Sequence, residues 1–399
     1  MKIPGMFSLA AASLLAFAAC DQGTAVGAAG GPIEAPSGPF RVLAPIESGN
    51  LLLFPVVRGS SKSIGETPFI TLDEGIKSGE VEVTEAGKVQ GLVRPRGPQS
   101  RNHYFPEPQN SYRGDQVNTL VLINNSKKPL LLLAGEIVTG GKQDRVIAKD
   151  RIVPAGADPI DLGVFCIEPG RWTESSATFG AAAKAPSHGF MVQPTVRERA
   201  MVQKDQQQVW DSVRGAISHM AAAAAPPAAQ AGAAPSFGTT SYAKVMESNA
   251  VSEKVDEAAA PVMKSRDQVL AKLREEHAIG VIVAVRGEIV WADLFTDTDL
   301  LSRYWTKLVR SYAAESLTTG ESHTAPSIAD AQHFLDVPMG GTESSEGDLG
   351  VYRYRELKSG GTETFVLESL LPGTGYDVHI SKMKLRSSDN AMKRPPIIR

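Results

Sequence analysis

The stretch from 117 to 168 sets the strongest limit on what this chain can fold into. It holds four short runs rich in Val, Leu and Ile (VNTLVLIN, PLLLLAGE, RVIAKDRIV and IDLGVFCIE), separated by Gly, Pro, Asn and Asp. Runs of this length and β-branched content read as strands. A strand such as LLLLA is apolar at every position and has no face to give to water, so it must be covered on both sides. This predicts a sandwich or a covered sheet. VNTLVLIN and PLLLLAGE are expected to pair across a turn at Asn125-Ser126-Lys127.

Around that block the pattern alternates between strand and helix. Residues 51–57 (LLLFPVV) predict a strand whose Pro55 suits a sheet edge. Thr71 with Glu74 makes a capping-box pattern for a short helix, followed by a strand through Val81 and Val83. Residues 94–115 read as a long exposed loop, and it and 340–348 could rim a pocket. Val202, Val209, Val213, Ile217 and Met220 form one helical stripe. The Ala/Pro-rich segment 221–240 reads as a linker, because its two adjacent prolines forbid a continuous helix. A helix capped by Ser265 and Gln268 follows at 266–277, then a hairpin turning at Arg286-Gly287. Leu301, Trp305, Leu308 and Tyr312 mark the best helix, capped by Asp297 or Thr298. Three more strands precede a tail, 386–399, expected to be disordered. The expected fold is α+β. A β-rich, sandwich-like unit spans 40–220, ending in a helical segment. A smaller α/β sheet unit spans 241–385, and both could pack as one body.

The N-terminus speaks to location. Met1-Lys2 precedes an apolar run, 6–17, that ends in Ala18-Ala19-Cys20. The run is too short for a transmembrane helix and has the small-residue end of a signal peptide. A cysteine directly after it resembles the bacterial lipobox, with Phe17 in place of the usual Leu. This predicts a signal peptide over 1–19 and a lipidated Cys20 followed by a flexible tether to residue 39. The protein is then held on a membrane of the cell envelope by acyl chains. Asp21 resembles the residue that retains lipoproteins in the inner membrane of some bacteria. The formal net charge of −3 becomes −4 once Lys2 leaves with the signal, and with no basic run no nucleic-acid partner is expected. Only two cysteines exist, so with Cys20 lipidated Cys166 has no intrachain partner.

Two motif clusters carry the functional interest. The first is Gly135-Glu136 followed by Gly140-Gly141-Lys142-Gln143-Asp144-Arg145. It is not a P-loop: Gly135 lies one residue too far from the Gly-Lys pair, and Gln143 replaces the hydroxyl that would hold magnesium. A Gly-Gly turn could still present Lys142, Gln143 and Arg145 to a ligand, or be an ordinary solvated turn. The second is Cys166-Ile167-Glu168-Pro169-Gly170-Arg171-Trp172. Cys166 and Glu168 share a strand face, but no histidine is near enough in sequence to activate the thiol, and Cys166 reads as a small buried residue. Glu168 and Arg171 could pair with each other, and Trp172 reads as core. The seven histidines offer no pair at zinc-ligand spacing, so neither metal nor cofactor is expected. His379 reads as a satisfied surface or edge histidine, and Trp210, Trp291 and Trp305 read as core.

Together GEIVTGGKQDR and FCIEPGRW resemble the ARG and Rhodanese-Phosphatase-superfamily-associated protein domain. Its pattern has Gly-Glu, Gly-x-Lys-Gln-x-Arg and Cys-x-Glu-x-Gly-Arg-Trp. TLDEGIKSGEVEVTE, QQVW, GVIVAVRGEIVWADLF, YWTKLVRSYA and DVHIS extend the resemblance over residues 40–383. It implies that Glu136, Lys142, Gln143, Arg145, Cys166, Glu168, Arg171 and Trp172 form one site. The family name records an association with ADP-ribosylglycohydrolase and phosphatase-like domains and implies no particular reaction. Three functions compete. A lipoprotein could bind a small anionic ligand, with Arg145 and Arg171 as clamps and Gln143 and Glu168 as hydrogen-bonding partners. An envelope scaffold would use the same residues to pin strands or meet an envelope protein. A hydrolase would use Glu136 or Glu168 as general base.

Overall fold

The computed structural model describes residues 40–58, 68–89, 118–181, 189–225, 237–264, 266–318, 322–336, 341–374 and 377–385. The expected signal peptide, tether, 94–115 loop, Ser265 cap, prolines of the linker and C-terminal tail lie outside these residues. In chain order the first strands are β1 (Phe40–Val42), β2 (Ile46–Ser48), β3 (Leu51–Arg58), β4 (Ile70–Thr71), β5 (Val81–Glu85) and β6 (Thr119–Asn124). Then come β7 (Leu130–Leu132), β8 (Ile137–Gly140), β9 (Arg145–Ile147), β10 (Arg151–Val153), β11 (Ala157–Cys166) and β12 (Phe179–Ala181). The last are β13 (Ala278–Val285), β14 (Glu288–Phe295), β15 (Thr342–Asp348), β16 (Tyr352–Ser359), β17 (Thr362–Ser369) and β18 (Asp377–Lys384). The helices are α1 (Leu72–Ser78), α2 (Pro194–Glu198), α3 (Gln206–Ala224), α4 (Tyr242–Glu247), α5 (Asn249–Lys264), α6 (Arg266–Glu275), α7 (Thr298–Ser316) and α8 (Ile328–Asp336).

The architecture is α+β, but the largest sheet is the C-terminal one. Its nine strands run β1-β3-β13-β14-β18-β17-β16-β15, with β2 also beside β3. It outgrows the expected smaller sheet because β1 to β3, from the start of the chain, join it. A six-stranded sheet (β12-β8-β9-β11-β6-β5) and a three-stranded one (β10-β7-β4) carry the motif region. One central apolar core draws on both halves of the chain, from Leu51 and Leu131 to Trp305 and Met383. The helical stripe of α3 faces it through Val209, Val213 and Met220, and α7 faces it through Leu301, Trp305, Leu308 and Tyr312.

Pro55 is not at an edge: β3 lies between β13 and the short strands β1 and β2. Its carbonyl accepts from Leu43 N (2.8 Å), on the side where the chain passes from β1 to β2. The missing N–H lies on this same side, so proline forfeits a bond only toward the short outer strands and leaves the pairing with β13 intact. The pairing expected between the first and second of the four apolar runs, VNTLVLIN and PLLLLAGE, does not form either. β6 pairs with β5 and β11, while β7 pairs with β10 and, in parallel, with β4. Buried Asn124 turns the chain between the sheets by donating to Lys128 O (3.0 Å) and Pro154 O (2.9 Å). The LLLL run is covered on both faces: Leu131 and Leu133 enter the central core, and Leu130 and Leu132 enter a second one.

Local signals fare better. Thr71 N donates to Glu74 Oε2 (2.9 Å) and Glu74 N to Thr71 Oγ1 (3.4 Å), the reciprocal capping box at the start of α1. Asp297, not Thr298, caps α7. Arg286 and Gly287 both take positive φ, 53° and 80°, as a tight hairpin between twisted strands requires. The Ala-rich part of the expected linker continues α3 as far as Ala224. Residues 342–348, expected as part of a loop rim, form strand β15 instead. Its polar sequence hides no period, because it is half-exposed and held by pairing with β16 and by ion pairs Glu346–Lys149 (2.6 Å) and Glu343–Arg355 (2.7 Å).

A carboxyl pair on β16 and β17 has a consequence for pH. Glu356 and Glu363 are buried together beside Lys204 (2.5 Å from Glu356) and Lys358 (3.2 Å from Glu363). Burial and the neighbouring Glu356 push Glu363 up to about 8. Burial also acts to raise Glu356, but its hydrogen bond with Glu363 and the Lys204 charge outweigh it and hold Glu356 at about 2. The pair thus shares one proton at neutral pH. A raised Glu363 contributes stability that is full below its ordinary value of 4.5 and is lost as pH rises through about 8. Glu363→Gln mimics the protonated form. Its melting temperature is therefore expected to gain on the wild type between pH 5 and 8 and to exceed it at pH 9. Parallel curves for the two proteins would refute the shared proton.

Candidate functional site

Two turns build the site. β8 ends in Gly140, and Gly140 and Gly141 both take positive φ (122° and 49°) before the chain re-enters the sheet as β9 at Arg145. A Cβ at Gly140 would strike Ser176 Oγ, and one at Gly141 would strike the Phe179 ring, so glycine is required on steric as well as conformational grounds. β11 ends at Cys166, and a turn through Pro169 and Gly170 (φ 92°) brings Arg171 and Trp172 back over the first turn.

Between the turns lies a dense ion-pair network. Arg171 Nη2 sits 2.6 Å from Glu168 Oε2 and 3.5 Å from Asp144 Oδ1, while its Nη1 donates to Gly141 O (3.0 Å) and Thr173 O (2.7 Å). Glu168 also accepts from Asp144 N (3.1 Å) and has Lys244 at 3.7 Å. Asp144 accepts from Gly140 N (3.1 Å) and from Ser241 Oγ (2.5 Å), which ties the turn to the start of α4. Burial raises the Asp144 pKa. Burial works against the Arg171 charge, but the hydrogen bond and charge of Glu168 prevail and raise its pKa. Gln143 Nε2 donates to Glu168 O (3.1 Å), and its buried Oε1 accepts no bond among the described residues.

Arg145 and Cys166 form the floor. Arg145 is fully buried, donates to Gln143 O (2.7 Å) and lies 4.0 Å from Glu85 Oε1, which also accepts from Lys142 N (2.8 Å). Desolvation lowers its pKa. Cys166 is buried, as expected, and burial pushes its thiol pKa up, which disfavours the thiolate a nucleophile needs. Trp172 departs from expectation: it is 45% exposed rather than core, because the Pro-Gly turn carries it onto the surface. Lys142 Nζ lies 5.1 Å and Arg145 Cζ 5.9 Å from its ring centroid, within cation–π range.

Glu136 points elsewhere. Its carboxylate meets Lys307 of α7 (2.5 Å) and accepts from Leu133 N (2.7 Å), and Lys307 also meets Asp73 (2.5 Å). Burial raises the pKa of Glu136. Seven of the eight expected residues thus gather, and Glu136 belongs to a separate buried ion-pair triad. Sequence reasoning missed Glu85, Ser241 and Lys244, which arrive from distant elements with no local signal. Asp144 was within the motif and its role was not assigned. Among the described residues no group of His, Cys, Asp and Glu could hold a metal ion.

Residues 39–383 match the ARG and Rhodanese-Phosphatase-superfamily-associated Protein domain. The chain belongs to this family. No curated protein and no solved structure matches it. The family match runs from the start of β1 to β18, so the domain includes all three sheets. What the arrangement can do chemically is limited by its electrostatics. The guanidiniums of Arg145 and Arg171 already face carboxylates and carbonyls, so the inner residues brace the two turns. The cations nearest solvent are Lys142, on the indole, and Lys244.

Proposed function

We propose that this protein is a membrane-anchored envelope lipoprotein whose folded body binds a small anionic ligand at the rim formed by Lys142, Trp172 and Lys244. The observation that carries the reading is the half-exposed Trp172 ring with Lys142 on it, held by a buried network of ion pairs. An exposed indole on a stiff frame offers stacking area at little entropic cost, and the Lys142 ammonium on it favours an anion. This moves the anion contacts outward from Arg145 and Arg171 to the lysines. A general base is less well served: Glu136 is locked by Lys307 and Glu168 by Arg171, both away from water. The anchor is supported by the apolar run 6–17 followed by Ala18-Ala19-Cys20. Among the described residues no helix is long and apolar enough to cross a membrane. A Cys20→Ser variant should leave the membrane fraction.

The binding test is thermal melting against a nucleotide, a sugar phosphate, a tricarboxylate and a glycan fragment. At least one anionic probe should raise the melting temperature of the wild type. Trp172→Ala should abolish that rise while changing stability by less than about 0.5 kcal/mol, as for other surface substitutions. Arg171→Ala strips a buried carboxylate of its partner and should cost about 1–3 kcal/mol. If no probe acts, and Trp172→Ala destabilises as much as Arg171→Ala, the cluster is a structural brace alone.

A further inference from the structure

The antiparallel register of the large sheet fixes which strand ends lie together. Phe40 pairs with Arg58, Ala278 with Val57, Phe295 with His379, Asp377 with Glu368, and Tyr352 with both Ser369 and Asp348. All these residues therefore lie at one end of the sheet. The turns at Arg286-Gly287 and Gly360-Gly361 lie at the other. The first end carries two of the few large apolar side chains exposed among the described residues. Leu349 is 96% exposed at the tip of the β15–β16 turn, and Leu370, whose N–H donates to Val351 O (2.8 Å), is 43% exposed. The turn is closed by Val351 N to Asp348 O (2.9 Å) with Gly350 at φ 76°, and nothing in that geometry requires leucine. Phe40, where the described body begins, stands at this same end.

We propose that this end of the sheet lies against a phospholipid bilayer, with Leu349 and Leu370 entering its interfacial layer. The inference rests on the lipoprotein reading, since the chain from Cys20 would reach the body at Phe40. β1 and β15 border the sheet on opposite sides, seven strand spacings or roughly 34 Å apart. The lipid tether and the leucine tip would thus hold two separated corners of one face. If residues 21–39 act as the flexible tether their composition leads one to expect, they reach on the order of 25 Å, which keeps the body close enough for a weak apolar contact to be occupied. Two cations at this end are already paired, Arg58 with Asp377 (3.9 Å) and Arg353 with Glu368. With those cations paired, the contact is assigned to the leucines rather than to attraction of basic side chains by anionic headgroups.

The test uses the full mature chain reconstituted in phosphatidylethanolamine–phosphatidylglycerol vesicles. An environment-sensitive fluorophore is placed on Leu349→Cys or, at the opposite end of the sheet, on Ser359→Cys. Brominated lipids should quench the label at 349 several-fold more than the label at 359. Equal and weak quenching at both positions, on protein that floats with the vesicles, overturns the proposed orientation. Mass spectrometry of Cys20 separates the two levels of the argument: an unacylated cysteine removes the lipoprotein reading, and this inference with it.

Discussion

Arg197→Ala is expected to destabilise the protein by about 3–5 kcal/mol, the loss typical when one partner of a buried ion pair is removed. Arg197 on α2 is buried, with Nη1 2.9 Å from Asp293 Oδ2 on β14 and Nη2 3.2 Å from Ser381 Oγ on β18. Its guanidinium also lies 4.6 Å from the Trp291 ring centroid. Burial works against the Arg197 charge, but Asp293 prevails and raises its pKa; the same interaction holds Asp293 well below the usual carboxylate range despite its own burial. Gly135 leaves the room this requires, because a Cβ there would sit 2.9 Å from Arg197 Cδ. Alanine at 197 would strand Asp293 beside Tyr312 and His379 with one cation where there were two. Urea unfolding of Arg197→Ala and of Arg197→Ala/Asp293→Asn measures it. The double variant should recover part of the loss, since it removes the stranded charge. Equal losses in both would mean that packing of the arginine stem, rather than its charge, matters.

This network also shows where sequence reading stops. Arg197, Asp293 and His379 are brought together from three elements, and nothing near each residue announces the others. Short-range rules were legible: the Thr71–Glu74 box, the Arg286-Gly287 turn and the stripe of α7 all depend on residues within about one turn of each other. Pairing was not. A strand such as Leu130–Leu132 is apolar on both faces, so its pattern carries no information on which neighbour covers which face. The entry of β1 to β3 into the C-terminal sheet was equally hidden, as was the central position of β18 that makes His379 a buried residue and not an edge one.

The motif cluster was legible for a different reason. Its glycines, charges and tryptophan lie in two short turns whose composition no core strand would tolerate. What those turns hid was the direction of each side chain. Glu136 sits one residue past Gly135, yet its carboxylate turns toward α7, and Trp172 follows a Pro-Gly turn out to solvent. The resemblance grouped both with the rest, because a shared pattern records which residues recur together and not which way they face.

His379 should make stability fall on the alkaline side. Its Nδ1 lies 2.6 Å from Asp150 Oδ2 and its Nε2 3.1 Å from Asp293 Oδ1, so both ring nitrogens face carboxylates, an arrangement that favours the doubly protonated ring. Burial works against that charge, but Asp150 and Asp293 outweigh it and raise the pKa to about 9 from an ordinary 6.5. A histidine whose pKa is raised by folding contributes stability that is full below about 6.5 and is lost as pH climbs through about 9. The gap corresponds to about 3 kcal/mol between those limits. Asp293 acts in the opposite sense, contributing above the ordinary carboxylate value and losing its share in acid. Other groups titrate in the alkaline window, Glu363 in the same direction as His379 and Lys382, with a pKa lowered by burial to about 8, in the opposite one. The measurement is therefore a difference: urea unfolding of wild type and His379→Gln from pH 6 to 10. Shared contributions cancel, and the advantage of the wild type should shrink from pH 7 to about 9 and level off by pH 10. A constant advantage would mean that His379 is neutral in the folded protein and that its two carboxylates hold their proton between them.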